Sequence, residues 1–534
     1  MTRTRGDAAH EGLPREVWMV AIVVIFGAVM SILDTTIVNV ALESLRVDLH
    51  APLSTIQWVT TGYLLALAAV IPLTGWAAER FGPRRVWMTA VTGFVVTSGL
   101  CGLAWSAESL IVFRVLQGLA GGMIMPVGMI TLAQTAGPQR MGRVMGIVGV
   151  PMLLAPVLGP VLGGLLVTHL SWRWIFYVNL PIGLVGLALA WRLLPSTRTQ
   201  GHAAAAGERV RLDVRGLLLL SPGVALVVFG LSEVSTHGGV TAPSAYVPLL
   251  LGAAMVAAFV PHALRTRWPL VDIRLFRSFG FSAAAATTFL VGAALFGAMI
   301  LLPLYYQVAR GENALTAGLL IAPQGIGAAL GMNIAGRLTD RIGAGRVVLG
   351  GLAVLVVGTI PFTQVSGDTS YWLLGAALVV RGFGLGGTMM PAMAAAYATL
   401  DKAAVPRATP MLNVVQRVGG SLGSAILAVI LQRNIVDDLP HASGAGALDA
   451  AQELPPAIQA RLAEPLAAAF ASTYWWTLGL IALALVPAAL LARAERGARR
   501  ARFAAEHRGG DAALAEAPEV PGTEPAPQPA GVSS

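Results

Sequence analysis

Charge is scarce in this chain: of 534 residues only 12% are Asp, Glu, Lys or Arg, whereas 56% are hydrophobic and the mean hydropathy is +0.71. That apolar load exceeds what a soluble domain can hide, so the chain reads as a polytopic membrane protein. There is one cysteine, Cys101. It excludes a disulfide framework and a thiolate metal cluster, and a buried, inert thiol is expected. The single lysine, Lys402, follows Asp401. A phosphate-binding loop needs lysine after glycine, so no ATP-driven pump is encoded, and an ion gradient is left as the energy source. His10, His50, His169, His202, His237, His262, His441 and His507 all fall in tails, loops or helix ends. No convergent set remains for a membrane-embedded enzyme or a metal site, and no catalytic residue is assigned. The apolar runs are also nearly free of acids: Asp34, inside the run from Val17 to Val40, is the only carboxylate in any run long enough to cross a bilayer. A charge at the centre of a membrane helix costs about 2.5–3.5 kcal/mol on insertion scales, so such residues usually belong to an ion or substrate path. The competing reading is an aspartate capping the outer end of its helix.

What is present in quantity is apolar runs of about 20 residues, the length that crosses the hydrocarbon layer as a helix. There are fourteen. Six span Val17 to Leu194, two (Val214 to Leu231 and Tyr246 to Pro261) follow, and six span Phe281 to Leu491. The expected fold is therefore all-α and polytopic. Its divisions are a tail over 1–16, a six-helix unit over 17–194, a linker with two extra helices over 195–278, a second six-helix unit over 279–492, and a largely disordered tail over 493–534. Ala, Glu, Pro and Gly dominate that tail, and order is expected to end near Gly509. Gln432 to Ala471 reads as the longest external loop, with room for a short amphipathic helix. The first run is too long for a secretory signal core and is expected to be retained.

Short basic loops stay on the cytoplasmic side. Only Arg46, Arg173, Arg310, Arg433 and Arg461 fall on the opposite side, and Arg114, Arg381 and Arg417 fall within runs. All other basic residues lie on one side, which places both termini in the cytoplasm. This asymmetry beside an anionic lipid leaflet accounts for the net charge of +9 without a nucleic acid partner.

Two half-chains share a phrase. Gly75-Trp-Ala-Ala-Glu79-Arg80-Phe-Gly82-Pro-Arg84-Arg85 recurs as Gly336-Arg-Leu-Thr-Asp340-Arg341-Ile-Gly-Ala-Gly-Arg346, each copy joining the second and third helix of its half. Its glycines allow tight turns, and its acid and arginines can form a charge cluster that makes and breaks as the halves rock; the plain alternative is a basic loop. A weaker echo sets Arg114, Gly118 and Gly121-Gly122 against Arg381, Gly382, Gly384 and Gly386-Gly387. In the fifth run, Pro156, Gly159, Pro160, Gly163 and Gly164 soften one helix face, for either a moving interface or a static seam. Asp34 and Arg114 both fall about 9 Å below the outer interface at 1.5 Å rise per residue and can pair. Separating such a pair would load a proton and rejoining it would release one; a fixed buried ion pair is the alternative. Asn39, Gln57, Tyr63, Gln117, Tyr305, Gln324, Asn413 and Arg417 are candidates for a mostly apolar central cavity suited to a lipophilic compound, although amides in membranes commonly just bridge helices.

Taken together, Leu33-Asp34-Thr-Thr-Ile-Val-Asn39-Val-Ala-Leu42, the Gly75 to Arg85 loop, Arg114 with Gln117-Gly118, Pro156 to Gly164, and Trp172-Arg-Trp-Ile-Phe-Tyr-Val-Asn179-Leu-Pro-Ile-Gly183 resemble the major facilitator superfamily. The resemblance is to its fourteen-helix drug:proton antiporter branch of EmrB/QacA type, over Val17 to Leu491. It implies two six-helix bundles around a central cavity, alternating access, and proton influx driving export of drugs or antibiotics, in the bacterial inner membrane and with no cofactor. Asp34 and Arg114 would match proton-linked positions, Glu79, Arg80 and Arg84 the loop that stabilises one facing state, and Gly159, Pro160 and Gly163 the antiporter helix. In a Gram-negative host a periplasmic adaptor and an outer-membrane channel would be partners. Glu79 departs from the family's usual aspartate, and Glu43 stands where many relatives carry proline. A proton-coupled importer or a dedicated metabolite exporter are the rivals on the same scaffold.

Overall fold

Apolar runs in lipid fold as helices because the hydrocarbon offers a backbone N–H or C=O no partner, and a helix satisfies both internally. The computed structural model describes residues 13–137, 140–194, 211–237, 239–398, 400, 404–438 and 456–515. Among these every regular element is helical. The first half holds α1 (Arg15–Val40), α2 (Leu42–Asp48), α3 (Leu53–Val70), α4 (Thr74–Phe81), α5 (Pro83–Gly102), α6 (Ala107–Ala136), α7 (Met141–His169), α8 (Trp174–Tyr177) and α9 (Asn179–Leu193). A hairpin of α10 (Val214–His237) and α11 (Pro243–Arg265) follows. The second half holds α12 (Phe279–Leu304), α13 (Ala314–Ile342), α14 (Ala344–Thr359), α15 (Tyr371–Gly386), α16 (Met389–Ala398), α17 (Val405–Asp438) and α18 (Pro456–Ala515).

Twelve stretches among the described residues are long and apolar enough to cross a membrane. With the 20-residue α5 and the 29-residue α7 they correspond, run for run, to the fourteen runs of the sequence. The duplication is visible in the packing. In the first half α1 packs on α7 and α9, α3 on α6, and α5 on α6 and α9; in the second, α12 packs on α17 and α18, α13 on α15, and α14 on α15 and α18. The halves meet where α7 lies along α13 and where α17 lies along α4 and α6. Of the extra hairpin, α10 leans on α3 and α17, and α11 is held mainly by α10. Trp105 and Trp372 stand exposed next to helix ends, as an aromatic belt at a lipid interface requires.

Close helix approach is built from small residues, because lipid tails are as apolar as leucine and give helices no hydrophobic reason to associate. A Cβ on Gly122 would lie 2.6 Å from the Leu67 carbonyl oxygen, and one on Gly386 would strike that of Ala328. Each repeated loop turns on a glycine with positive φ, 86° at Gly82 and 102° at Gly343, where a side chain would strain the backbone at the start of the next helix.

Several boundaries differ from the sequence reading. α10 continues to His237, so Glu233 also lies in a span, near its end; hydropathy falls before the helix does. The external loop expected over Gln432 to Ala471 is helical to Asp438 and again from Pro456. The last helix continues through Arg493 and past Gly509 to Ala515, where disorder was expected, because alanine, arginine and glutamate favour helix even where they end an apolar run. Residues 1–12, 195–210, 439–455 and 516–534, with the tail and linker expectations that fall on them, lie outside the described residues.

Candidate functional site

Asp34 sits in the interior of α1 with no exposed surface, and so does Arg114 of α6. The expected pair forms: Arg114 Nη1 donates to Asp34 Oδ2 at 2.6 Å. The capping alternative is thereby excluded, since Asp34 lies six residues inside the end of α1. Two amides complete the carboxylate's shell, Gln117 Nε2 at 3.1 Å and Asn179 Nδ2 at 2.8 Å, both on Oδ1. The guanidinium is held in turn by the Val59 carbonyl (3.0 Å from Nε) and Gln117 Oε1 (2.8 Å from Nη1), and lies 4.0 Å over the Tyr63 ring. Asn179 also donates to Ser98, whose hydroxyl donates to the Phe176 carbonyl. The Cys101 thiol, buried as expected, is more than filler, for it donates to Gln117 Oε1 at 3.5 Å.

Five helices thus converge on one carboxylate: α1, α3, α5, α6 and α9. Asn179 and Ser98 were absent from the sequence-derived site. An amide alone inside the apolar sixth run was the available signal for Asn179; Ser98 carried none, because hydroxyls are common in helices. Two polar atoms of the network, Arg114 Nη2 and Asn179 Oδ1, have no partner among the described residues. Asp34 itself has no exposed surface, so reaching its carboxylate from solvent requires helices to move.

The repeated loops lie at the opposite end of the molecule's long helices, and here the expected charge cluster takes a different form. Each acid pairs with an arginine of the other half. Glu79, at the end of α4, accepts from Arg407 Nε and Nη2 of α17, both at 3.2 Å. Asp340, at the end of α13, accepts from Arg143 Nε of α7 at 2.9 Å and from the Gly142 backbone N–H at 3.2 Å. Arg143 and Arg407 each sit two residues into their helix, a symmetric register that basic-loop counting passed over. Within the loops, Arg84 donates to the Trp191 carbonyl, Arg80 and Arg85 are exposed, and Arg341 is exposed with partners of its own. The glycines make the closure possible: a Cβ on Gly75 would strike the Pro406 carbonyl, and one on Gly336 would lie 2.9 Å from that of Gly142.

The fifth-run motif connects the two places. Near the loops, α7 touches α13 through Gly142 and Gly146; toward its other end, it touches α1 through Gly159 and Gly163. A Cβ on Gly159 would collide with the Thr36 hydroxyl, and one on Gly163 would lie 3.0 Å from the Ile37 carbonyl oxygen. Gly164 faces open space, Pro160 is exposed, and the Pro156 side chain lies outside the described residues.

The eight cavity candidates are not brought together. Tyr63 and Gln117 are wholly buried and serve the Asp34 network, and Tyr305 is buried in the second half with its hydroxyl donating to the Ser366 carbonyl. Gln324 accepts from Arg381, and Asn39 and Gln57 are exposed toward the end remote from the loops. Asn413 and Arg417 remain partly exposed, one turn apart on α17. A polar residue inside an apolar run signals a purpose; which neighbour it serves depends on helix rotation, which composition does not encode.

Comparison with known proteins gives the family. The profile described as Major Facilitator Superfamily matches residues 24–424. The chain is 40% identical over 496 residues to the "Multidrug resistance protein B homolog" of Mycobacterium tuberculosis, covering 90% of this chain and 91% of that one. It is 31% identical to the "Multidrug export protein EmrB" of Haemophilus influenzae, over 74% of this chain and 77% of that one. It is 30% identical to the "Tetracenomycin C resistance and export protein" of Streptomyces glaucescens, over 80% and 78%. Among solved structures, the human organic anion transporter MFSD10 superposes with a TM-score of 0.59 at 16% identity, covering 88% of this chain and all of that one, a likeness of fold. The chain belongs to the Major Facilitator Superfamily, in its drug:proton antiporter branch.

Proposed function

We propose that this protein exports lipophilic small molecules in exchange for protons, by alternating access of its two halves, from a bacterial inner membrane with both termini in the cytoplasm. The observation that carries the reading is the fully buried Asp34 carboxylate held by Arg114, Gln117 and Asn179. A buried ionisable group inside a span is expensive, and a proton path is the use that repays it. The names of the relatives, multidrug resistance and export proteins, support drugs or antibiotics as cargo. The protein acts as a carrier, not an enzyme, and needs no cofactor; a periplasmic adaptor would join it only in a host with an outer membrane.

In this scheme the described arrangement is the one closed at the loop end, where Glu79–Arg407 and Asp340–Arg143 lock the halves. Protonation of Asp34 releases Arg114 and loosens the α1–α7 contact at Gly159. Because α7 also carries Arg143, the movement reaches the lock. Purified protein in vesicles tests this: a pH step, acidic on the outer face, should drive cargo uphill, and cargo movement indifferent to the pH difference would end the proposal.

The lock makes its own prediction. In a double-mutant cycle, Glu79→Ala and Arg407→Ala should show a coupling of about 0.5–3 kcal/mol in the equilibrium between facing states, as for contacting residues generally. The measurement is thiol labelling at Thr339→Cys, which is buried where α7 meets α13; native background is low because Cys101 is buried. Strictly additive labelling rates would mean that the pair does not hold the gate.

Arg417 supplies the cargo-facing prediction. It is partly exposed, has no hydrogen bond or ion pair among the described residues, and lies within electrostatic reach of the Tyr63 phenol across the interface of the halves. Asn413 precedes it by one turn and Ser421 follows by one, so α17 offers a polar stripe there. Arg417→Gln should raise the KM for acidic lipophilic cargo about tenfold, the scale of one lost charge-assisted hydrogen bond, and leave cationic dyes unaffected. Equal effects on both would assign Arg417 to helix packing.

A further inference from the structure

The second half contains a buried cation that no carboxylate balances. Arg381 of α15 is 4% exposed and occupies the position that echoes Arg114 of α6. In the first half α1 supplies Asp34 to that arginine; α12, which repeats α1, carries no acid between Phe279 and Leu304. Arg381 Nη1 donates to Gln324 Oε1 of α13 at 2.8 Å, and no protein group among the described residues accepts from its Nε. Arginine cannot relieve this by losing its proton within proteins.

Two buried hydroxyls of α18 also lack partners among the described residues. The Tyr474 hydroxyl on α18 lies within electrostatic reach of Arg381, and the Thr477 hydroxyl follows almost one turn later; both residues are wholly buried and neither hydroxyl has a partner among the described residues. Ile481, one turn further along α18, lines a small cavity that opens against Arg381 and Gln324, its remaining wall made by Ala294, Leu295, Leu355 and Leu385. The space open to the centre of a water-sized sphere is about 10 Å³, enough for one water or one monatomic ion. The polar side chains of the lining are Arg381 and Gln324, and the Gln324 oxygen is already used by Arg381, so what the space is offered is a guanidinium and an amide N–H group. Charge and donor pattern select an anion, and size excludes an oxyanion.

We propose that a halide, chloride in the cell, binds in the core of the second half beside Arg381, and is there the counter-ion that Asp34 is in the first half. It ties together α13, α15 and α18 in place of a carboxylate. Water alone would satisfy a donor and leave the charge unbalanced.

Thermal unfolding of the purified full-length protein, at constant ionic strength with sodium gluconate exchanged for sodium chloride or bromide, tests the site without any transport assay, so it stands or falls apart from the proposed function. The expected result is a saturable rise in Tm with either halide. Arg381→Gln should abolish the halide dependence, and so should Gln324→Glu, which gives Arg381 the carboxylate it lacks. Identical melting in gluconate and chloride, meaning a cavity that holds water only, overturns the proposal. So does a halide effect unchanged in Arg381→Gln. Should that variant fail to fold, Gln324→Glu decides alone, and a halide dependence that survives it is the overturning result.

Discussion

Replacing Asp34 with asparagine should reduce proton-driven export in vesicles to that of protein-free vesicles while downhill leakage of cargo persists. Asparagine keeps the shape and can still accept from Asn179, but it cannot exchange a proton. A complication has to be separated from this. Removing one member of a buried ion pair leaves the other uncompensated and typically costs about 3–5 kcal/mol, so a fall in activity could reflect damage to Arg114's surroundings. The double variant Asp34→Asn with Arg114→Gln removes both charges and should recover most of that stability, seen as a Tm close to that of the parent, with uphill export still absent. Export restored along with stability in the double variant would reduce Asp34 to a structural role.

The second strong effect should come from Gly159→Val. A Cβ at this position already meets the Thr36 hydroxyl, and the Ile37 backbone nitrogen lies 3.3 Å away, so the branched side chain has to push α1 from α7 two residues from Asp34. Overpacking a close contact typically costs about 1–3 kcal/mol and displaces backbone. Uphill transport should be lost, with thiol labelling at Thr339→Cys raised because α7 carries the shift to the lock. Gly164→Val is the internal control: nothing lies within 4 Å of its added Cβ, and its transport should stay near that of the parent. Equal damage by the two substitutions would refute the contact and point to glycine's effect on the helix itself.

Much of the fold could be read from residues alone because the membrane enforces it. Runs of about 20 apolar residues have one economical backbone solution in lipid, and all fourteen appear as helices. The repeated Gly75 and Gly336 phrases announced two halves, and the same pairing pattern appears in both. Asp34 and Arg114 were legible for the same reason: a charge deep in a run is expensive enough to demand a partner, and few partners existed at the same depth. Where the cost of misplacement is small, legibility ended. Helix ends drifted at α10 and α18, since stopping an apolar run and stopping a helix are different events. The polar residues assigned to one cavity turned out to be scattered over both halves.

Composition and periodicity therefore settled the membrane class, the helical runs, the duplication and the one buried acid, each through a desolvation penalty that acts on a residue wherever its neighbours are. Packing alone decided which residues meet across the halves. That Glu79 finds Arg407, that Asp340 finds Arg143 and that Asn179 joins Asp34 all depend on helix rotation and on glycine seams set by contacts between segments far apart in the chain. Those choices are made by shape between helices, and shape exists only once the helices have come together.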